Sequence, residues 1–240
     1  MSKKLIDIID VSDQKDIISE SNDNWYKKRF AIGIPTVNRF DLLKPSLESY
    51  LQDFPNVKVF IVDNGKQGIA EHYKDNELVT VFEPENNLGV AGSWNLLCKE
   101  IFKLHGYALL LNDDIYLGYG TEVVEKAIYW DNLGLTQSSK NFSVVLLSNA
   151  LYTELGAFDE QFYPAYFEDS DYLYRLKLKK KCLQRIDYTL DPRDFMASQT
   201  YEKEPQKYMN IIFENKERYI KKWGGLPFME QYRKPYTPSN

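Results

Sequence analysis

The sequence predicts an α/β protein: a single domain with one mostly parallel central sheet flanked by helices. Two observations predict this. Short apolar runs of strand length alternate with longer stretches of helical spacing from Arg29 onward, and such alternation builds βαβ units whose parallel strands are joined by crossovers. Three of the apolar runs also stop on polar turn formers at their carboxyl ends. With 240 residues and an apolar fraction of 43%, the chain can fill one substantial core.

Residues 1–28 are polar and charge-rich apart from an apolar cluster from Leu5 to Val11, and read as an N-terminal extension, a helix packed on the main domain. Phe30 to Ile34 is a strand running into Pro35-Thr36-Val37-Asn38-Arg39, and Phe40 to Leu51 has helical spacing. Val57 to Val62 is a second strand ending on Asp63-Asn64-Gly65, and Leu78 to Phe82 a third. Gly89 to Leu104 is an apolar-faced helix, and Tyr107 to Leu111 is a fourth strand stopping on Asn112-Asp113-Asp114. Ligands of such sheets gather at the carboxyl ends of the strands, so these three polar strand ends form one candidate rim. Farther on, Ser143 to Ser148 reads as a strand and Leu151 to Leu155 as a short helix ended by Gly156. An aromatic and acidic run from Phe158 to Asp171 leads into a helix over Asp169 to Lys179. A helical stretch from Glu204 carries Arg218, Lys221 and Lys222 before Trp223-Gly224-Gly225. Cations suit a helix C-terminus; a closing element bringing charge to a ligand is the other reading. Pro227, Pro235 and Pro238 mark an extended tail, giving a domain over 29–225 between an extension of 1–28 and a tail of 226–240.

The net charge of −5 gives no broad electrostatic footprint for nucleic acid or an anionic membrane, although Lys177 and Lys179 to Lys181 could form a local basic patch. No apolar run approaches the roughly 20 residues of a membrane span. The opening Met1-Ser2-Lys3-Lys4 does not resemble a secretory signal. Cys98 and Cys182 lie inside apolar patterns and read as reduced core residues, consistent with the cytoplasm.

Two acidic groups carry the chemistry. Burying one carboxylate is costly and two adjacent ones repel, so Asp113-Asp114 at the mouth of a core strand suggests a hard divalent cation. An acidic turn after the strand is the other reading. Glu168, Asp169 and Asp171 fall in a first helical turn, where capping and the macrodipole explain any one of them. Three acids together after four aromatics suggest more than capping.

In order, Pro35 to Arg39, Val62 to Gly65, Asn87 to Asn95, Leu111 to Asp114, Gly156 to Glu160 and Phe167 to Asp171 resemble the motifs of family-2 glycosyltransferases of the GT-A, Rossmann-like fold. The likeness spans residues 29 to 190 and is strongest to small single-domain members of viral, phage and bacterial type, with a Lys-Trp-Gly-Gly element like Lys222 to Gly225. It implies transfer of a hexosyl group from a nucleotide-diphosphate sugar to an acceptor hydroxyl, with inversion. Pro35, Thr36, Asn38 and Arg39 match the loop that receives base and phosphates. Asp63 matches the acid bonding the base, with a turn before Asn64-Gly65 as the alternative. Asn87, Gly89, Gly92 and Asn95 match the donor-binding stretch; a helix start favours phosphate, and close helix packing is the other use of its glycines.

Asn112, Asp113 and Asp114 match the DXD motif, in which the first acid holds the ribose and Asp114 binds Mn²⁺ or Mg²⁺. Asn112 leaves the cation fewer charged neighbours. The two histidines, His72 and His105, both lie away from the Met196 to Thr200 region where many relatives supply a further metal ligand. Mg²⁺ usually keeps several waters, so a sparse protein shell suffices. Asp169 matches the general base. Glu168, Asp171 and Tyr166 are the acceptor-side candidates, and Phe162, Tyr163, Tyr166 and Phe167 form either an apolar floor for acceptor sugars or core.

Uridine is the default base, with guanosine and thymidine donors open; acceptors range from glycans and lipid-linked sugars to proteins, and the acidic charge disfavours nucleic acid. A silent sugar-nucleotide or glycan binder has no need of a base, which Asp114 and Asp169 together argue against. A sugar nucleotidyltransferase usually carries a glycine-rich basic loop after its first strand, which Pro35 to Arg39 does not resemble. A glycosidase also uses two carboxylates but has no need of a nucleotide-shaped rim.

Overall fold

The computed structural model describes residues 8–9, 29–116, 124, 128, 134–137, 141–181, 184–186 and 205–238. The strands are β1 (Ile8–Ile9), β2 (Phe30–Thr36), β3 (Val59–Asp63), β4 (Val79–Phe82), β5 (Tyr107–Leu111), β6 (Gly134–Gln137), β7 (Val144–Ser148) and β8 (Gln184–Ile186). They form one sheet in the order β1-β8-β6-β7-β5-β2-β3-β4. β7 runs antiparallel to both of its neighbours, β5 and β6, and every other pairing is parallel. The helices are α1 (Phe40–Asp53), α2 (Ile69–His72), α3 (Gly89–Ile101), α4 (Asn149–Leu155), α5 (Glu168–Leu178) and α6 (Pro205–Trp223).

The strand period of two sorts the sheet's apolar residues onto two covered faces. Phe30, Ile32 and Ile34 of β2 pack with Leu43, Leu47 and Tyr50 of α1, joined by Val124 and Ile128. Ala31 belongs to the opposite face with Leu97, Cys98 and Ile101 of α3 and Leu110 of β5. A side chain at Gly33 would come within 3.1 to 3.3 Å of Leu110, Ile101 and Leu97, so glycine there lets α3 approach the sheet. A third cluster of Phe162, Tyr174, Tyr219 and Trp223 binds α5, α6 and the loop before α5.

Several sequence expectations change. Ile8–Ile9 are extended and pair with β8, where a helix was expected; the rest of residues 1–28 lies outside the described residues, as do Cys182 and residues 196–200. Cys98 is buried as expected, and burial pushes its thiol up. The segment after Trp223 does not run off as an extended tail. Gly224, at φ 76°, reverses the chain, and the N–H groups of Gln231 and Tyr232 both return to the Trp223 carbonyl at 3.0 and 2.9 Å. Among the described residues no helix is long and apolar enough to cross a membrane.

Candidate active site

The carboxyl ends of β2 and β5 are joined by a side-chain bond: Thr36 Oγ1 donates to Asp113 Oδ2 at 2.7 Å. Ser46 of α1 donates to the Asp113 carbonyl at 3.1 Å and fixes the turn from the other side. Burial, reinforced by the neighbouring Asp114 charge, pushes the Asp113 carboxyl up to about 7, against the Thr36 hydrogen bond and the Arg39 guanidinium. Asp114 is buried and Asp113 partly so. Two adjacent carboxylates held in low dielectric supply oxygen donors alone, the set a hard divalent cation takes, and a cation would offset their repulsion. Among the described residues no group of three or more His, Cys, Asp or Glu side chains assembles, so water and substrate oxygens would complete the shell.

At the end of β3 the turn-forming reading is the one the geometry realises. Asp63 is fully buried; its Oδ1 accepts from Gly65 N and Gln67 Nε2, each at 3.0 Å, and its Oδ2 from Gln67 N at 2.6 Å. Gln67 Oε1 in turn accepts from Phe40 N at 2.8 Å and anchors the start of α1. These bonds make the carboxylate a brace of the turn. Asn38 adopts φ 55° and lies against Gly65. Pro35 lies inside β2, paired with Val62 of β3, and the buried Arg39, next to α1, donates to Asp41 at 3.0 and 3.2 Å. Asn112 is partly buried, with its N–H on the Ser143 carbonyl at 3.0 Å.

The start of α3 is filled by protein. Asn87 Oδ1 accepts from Gly89 N at 2.8 Å, and Val90 N donates to the Pro164 carbonyl at 2.7 Å. Gly89 has φ 68°, and a Cβ there would stand 2.6 Å from the Pro164 oxygen. Close backbone approach, not a phosphate, therefore accounts for Gly89, and a Cβ on Gly92 would meet that of Leu88 at 3.1 Å. Asn95, expected on the donor, has its amide engaged elsewhere: Oδ1 accepts from Phe158 N at 2.8 Å, while Nδ2 donates to Phe158 O at 2.9 Å and Glu160 Oε1 at 2.8 Å. These residues tie α3 to the loop before α5. Asn64, not singled out from sequence, completes the tie: Oδ1 accepts from Leu88 N at 2.8 Å and Nδ2 donates to Ser93 Oγ at 2.9 Å. Contacts thus run from Asp113 through Thr36 to β2, from Asn38 to Gly65, and from Asn64 to α3 and Pro164.

The loop ends on Tyr166 and Phe167, at φ 77° and 76°. Left-handed non-glycine residues persist where surroundings over-determine them. Asn215 of α6, fully buried, donates to the Ala165 carbonyl at 2.8 Å and the Tyr163 carbonyl at 3.3 Å, and accepts from Arg218 at 2.6 Å. Phe167 packs on Tyr219 with ring centroids 5.6 Å apart, and Tyr166 meets Tyr208 edge-on at 6.3 Å. Phe162 is core, while Tyr163 is half exposed.

The helix beginning at Glu168 separates its three acids. Glu168 is buried, its Oε2 is without a hydrogen-bond partner among the described residues, and burial, aided by the Asp169 charge, holds it well above the usual carboxylate range. Asp169 is half-buried; burial raises its proton affinity, and its Oδ1 accepts from Ser170 N at 2.6 Å. Asp171 does not join them. It is fully buried, with Oδ1 accepting from Trp223 Nε1 at 2.8 Å and facing Lys222 Nζ at 2.5 Å, and Oδ2 accepting from Arg175 Nε at 2.9 Å. Its oxygens brace α5 against α6, which removes it from acceptor binding. Lys222 sits between Asp171 and Asp159, 2.7 Å from the latter, and its charge is taken up by these two carboxylates. Asn215 was also missed from sequence; its one signal is a polar residue in the apolar i, i+4 register of Ile211, Tyr219 and Trp223.

Strand-end carboxylates on a mostly parallel sheet, with a second acidic pair at a helix start, define a protein of the GT-A class of fold. Residues 31–120, which run from β2 through β5 and the Asp113-Asp114 turn, match the family described as glycosyl transferase family 2. Among solved structures, the mannosyltransferase PcManGT from Pyrobaculum calidifontis, in complex with GDP-Man and Mn²⁺, superposes with a TM-score of 0.60 at 14% identity. The alignment covers 83% of this chain and 66% of that one, so the chain spans slightly less than two thirds of that transferase. The 4-diphosphocytidyl-2C-methyl-D-erythritol synthase from Anaerococcus prevotii gives a TM-score of 0.51 at 11% identity, covering 81% and 98%. At these identities the shared property is the fold. No curated protein matches the chain by sequence.

Proposed function

We propose that residues 29–225 form a glycosyltransferase that moves a hexosyl group from a nucleoside-diphosphate sugar to an acceptor hydroxyl with inversion. The observation that carries this reading is the Thr36-braced Asp113-Asp114 pair at the carboxyl end of β5, inside the segment that matches family 2. Asp114, with Asp113 beside it, would hold Mn²⁺ or Mg²⁺. A divalent cation there supplies positive charge to offset the nucleoside diphosphate as it leaves. The known neighbour's complex with GDP-Man and Mn²⁺ supports the same donor class and keeps guanosine beside uridine as the base.

Asp169 takes the acceptor's proton. Burial raises its proton affinity, which improves a carboxylate as a base toward neutral pH. Glu168, driven toward its neutral form, leaves Asp169 as the charged member of the pair. The acceptor oxygen bonds to the anomeric carbon from the side opposite the diphosphate, the carbon–oxygen bond to the diphosphate breaks, and Asp169 carries the proton. Tyr166 and the half-exposed Tyr163 border the acceptor side.

Calorimetric titration of GDP and UDP, with and without Mn²⁺, tests the donor half. Asp114→Asn is expected to lose Mn²⁺-dependent binding, whereas Asp169→Asn keeps it and loses transfer by on the order of 10²–10⁴-fold. Absence of Mn²⁺-dependent binding in the unaltered protein, or its survival in Asp114→Asn, overturns the assignment.

A further inference from the structure

The loop from Gly224 to Tyr232 reverses the usual sorting of side chains. Its polar groups turn inward: Glu230 Oε1 accepts from Tyr219 Oη at 2.7 Å and Phe228 N at 2.9 Å, and the Tyr232 carbonyl accepts from Tyr174 Oη at 2.8 Å. Its apolar side chains turn outward, with Leu226 38%, Phe228 88% and Met229 68% exposed. The loop is built, not frayed. Met229 N bonds the Leu226 carbonyl at 2.8 Å, and a Cβ on Gly224 would strike the Tyr232 ring at 2.6 to 2.8 Å. Phe228 is held at φ 69°, a conformation an aromatic residue rarely adopts. Solvation alone does not explain a fixed turn that spends backbone strain to expose a phenyl ring.

The chain around this tip is mostly basic, although Lys222 is taken up by Asp171 and Asp159. Between Lys216 and Lys234 the sequence has six basic residues and two acidic ones, in a chain of net charge −5. Lys221, Arg233 and Lys234 are exposed at the end of α6, where Tyr236 N returns to the Lys222 carbonyl at 2.8 Å. Lys177 of α5, 47% exposed, lies 3.7 Å from Glu230, whose own side chain is 4% exposed.

The geometry points to a membrane-docking tip: Leu226, Phe228 and Met229 enter the interface of an anionic bilayer while Lys177, Lys221 and Lys234 meet its headgroups. A bilayer is favoured over a protein partner because three side chains fall far short of the roughly 800 Å² per partner of a stable interface. A lipid surface needs no matching shape, and its anionic headgroups complement the basic surround. The inference is independent of the proposed transfer reaction.

Sedimentation of the full chain with vesicles of phosphatidylcholine alone, and of phosphatidylcholine mixed with phosphatidylglycerol, tests it. Binding is expected on the mixed vesicles and not on the neutral ones. Phe228→Ser with Met229→Ser should weaken it by at least about tenfold. Lys221→Gln with Lys234→Gln should each remove roughly fivefold per lysine, with thermal unfolding checked for all variants. No sedimentation with mixed vesicles, equal binding to neutral ones, or full binding by either double variant overturns the proposal. So does a concentration-dependent dimer that Phe228→Ser with Met229→Ser abolishes while vesicles are ignored.

Discussion

Replacing Asn215 with alanine removes a buried amide that two carbonyls of another element depend on. The 2.8 Å bond to Ala165 is a full hydrogen bond and the 3.3 Å bond to Tyr163 a weak one, and Arg218 loses the oxygen it contacts at 2.6 Å. An unsatisfied buried acceptor costs about 1–3 kcal/mol. Counting the Ala165 carbonyl fully and the others in part gives roughly 2–4 kcal/mol. For a chain of this size each kcal/mol moves Tm by about 2–4 °C, so a fall of roughly 4–16 °C is expected. Circular dichroism melting measures it, with Asn210→Ala, an exposed asparagine of the same helix, as the control expected within about 0.5 kcal/mol. The loop should also loosen locally, because Tyr166 and Phe167 lose the clamp that keeps them left-handed. Limited chymotrypsin digestion should then cut at these aromatics sooner than in the control. Equal melting and equal digestion of the two variants would refute the clamp.

Three further outcomes are expected. Glu168 has its proton affinity raised by folding from an ordinary value of 4.5, so its stabilising contribution is full below that pH and is lost as pH rises toward the folded value. Glu168→Gln should therefore gain stability over the unaltered protein at neutral pH and little at acidic pH, read from urea titrations at both; a pH-independent difference would contradict this. Asp171→Asn leaves Lys222 and Arg175 facing a neutral group and should cost about 3–5 kcal/mol, while the double variant with Lys222→Met should cost clearly less than the summed single variants in a denaturant cycle. Gly89→Ala combines φ 68° with a 2.6 Å approach to the Pro164 oxygen and should cost roughly 1–3 kcal/mol in the same assay, where an unchanged midpoint would show that the loop yields freely.

The parts of the fold legible from sequence are those where local chemistry and topology agree. The strands ending at Thr36, Asp63 and Leu111 are apolar runs closed by turn formers, and the parallel arrangement comes from the helices between them. The direction of β7 was not legible: Val144 to Leu147 is uniformly buried, and a run covered on both faces carries no mark of which way it runs. Asp63 had two readings because a buried strand-end carboxylate serves a turn or a ligand equally well; the structure shows the turn, through its bonds to Gly65 and Gln67. Gly89 and Asn95 were read toward a ligand, since nothing local announces that Pro164 packs against Gly89 or that Phe158 takes up the Asn95 amide, each more than 60 residues later. Asp169 and Asp171 look alike in sequence and differ only through Trp223, Lys222 and Arg175.

The antiparallel course of β7 dictates how much chain must separate it from α5. Because Leu111 pairs with Val144 and Tyr107 with Ser148, the chain leaves β7 on the side of the sheet opposite Asp113. It must travel back across the full height of the sheet before Asp169 can stand on the same side as the strand-end acids. The five residues of β5 set that height at about 17 Å. The twelve residues from Gly156 to Phe167, which could reach about 40 Å if straight, make the return by a folded route that touches α3 on the way. The irregular stretch is thus a return path whose slack goes into contacts, and deletions within it would draw on that slack before they reached the acids.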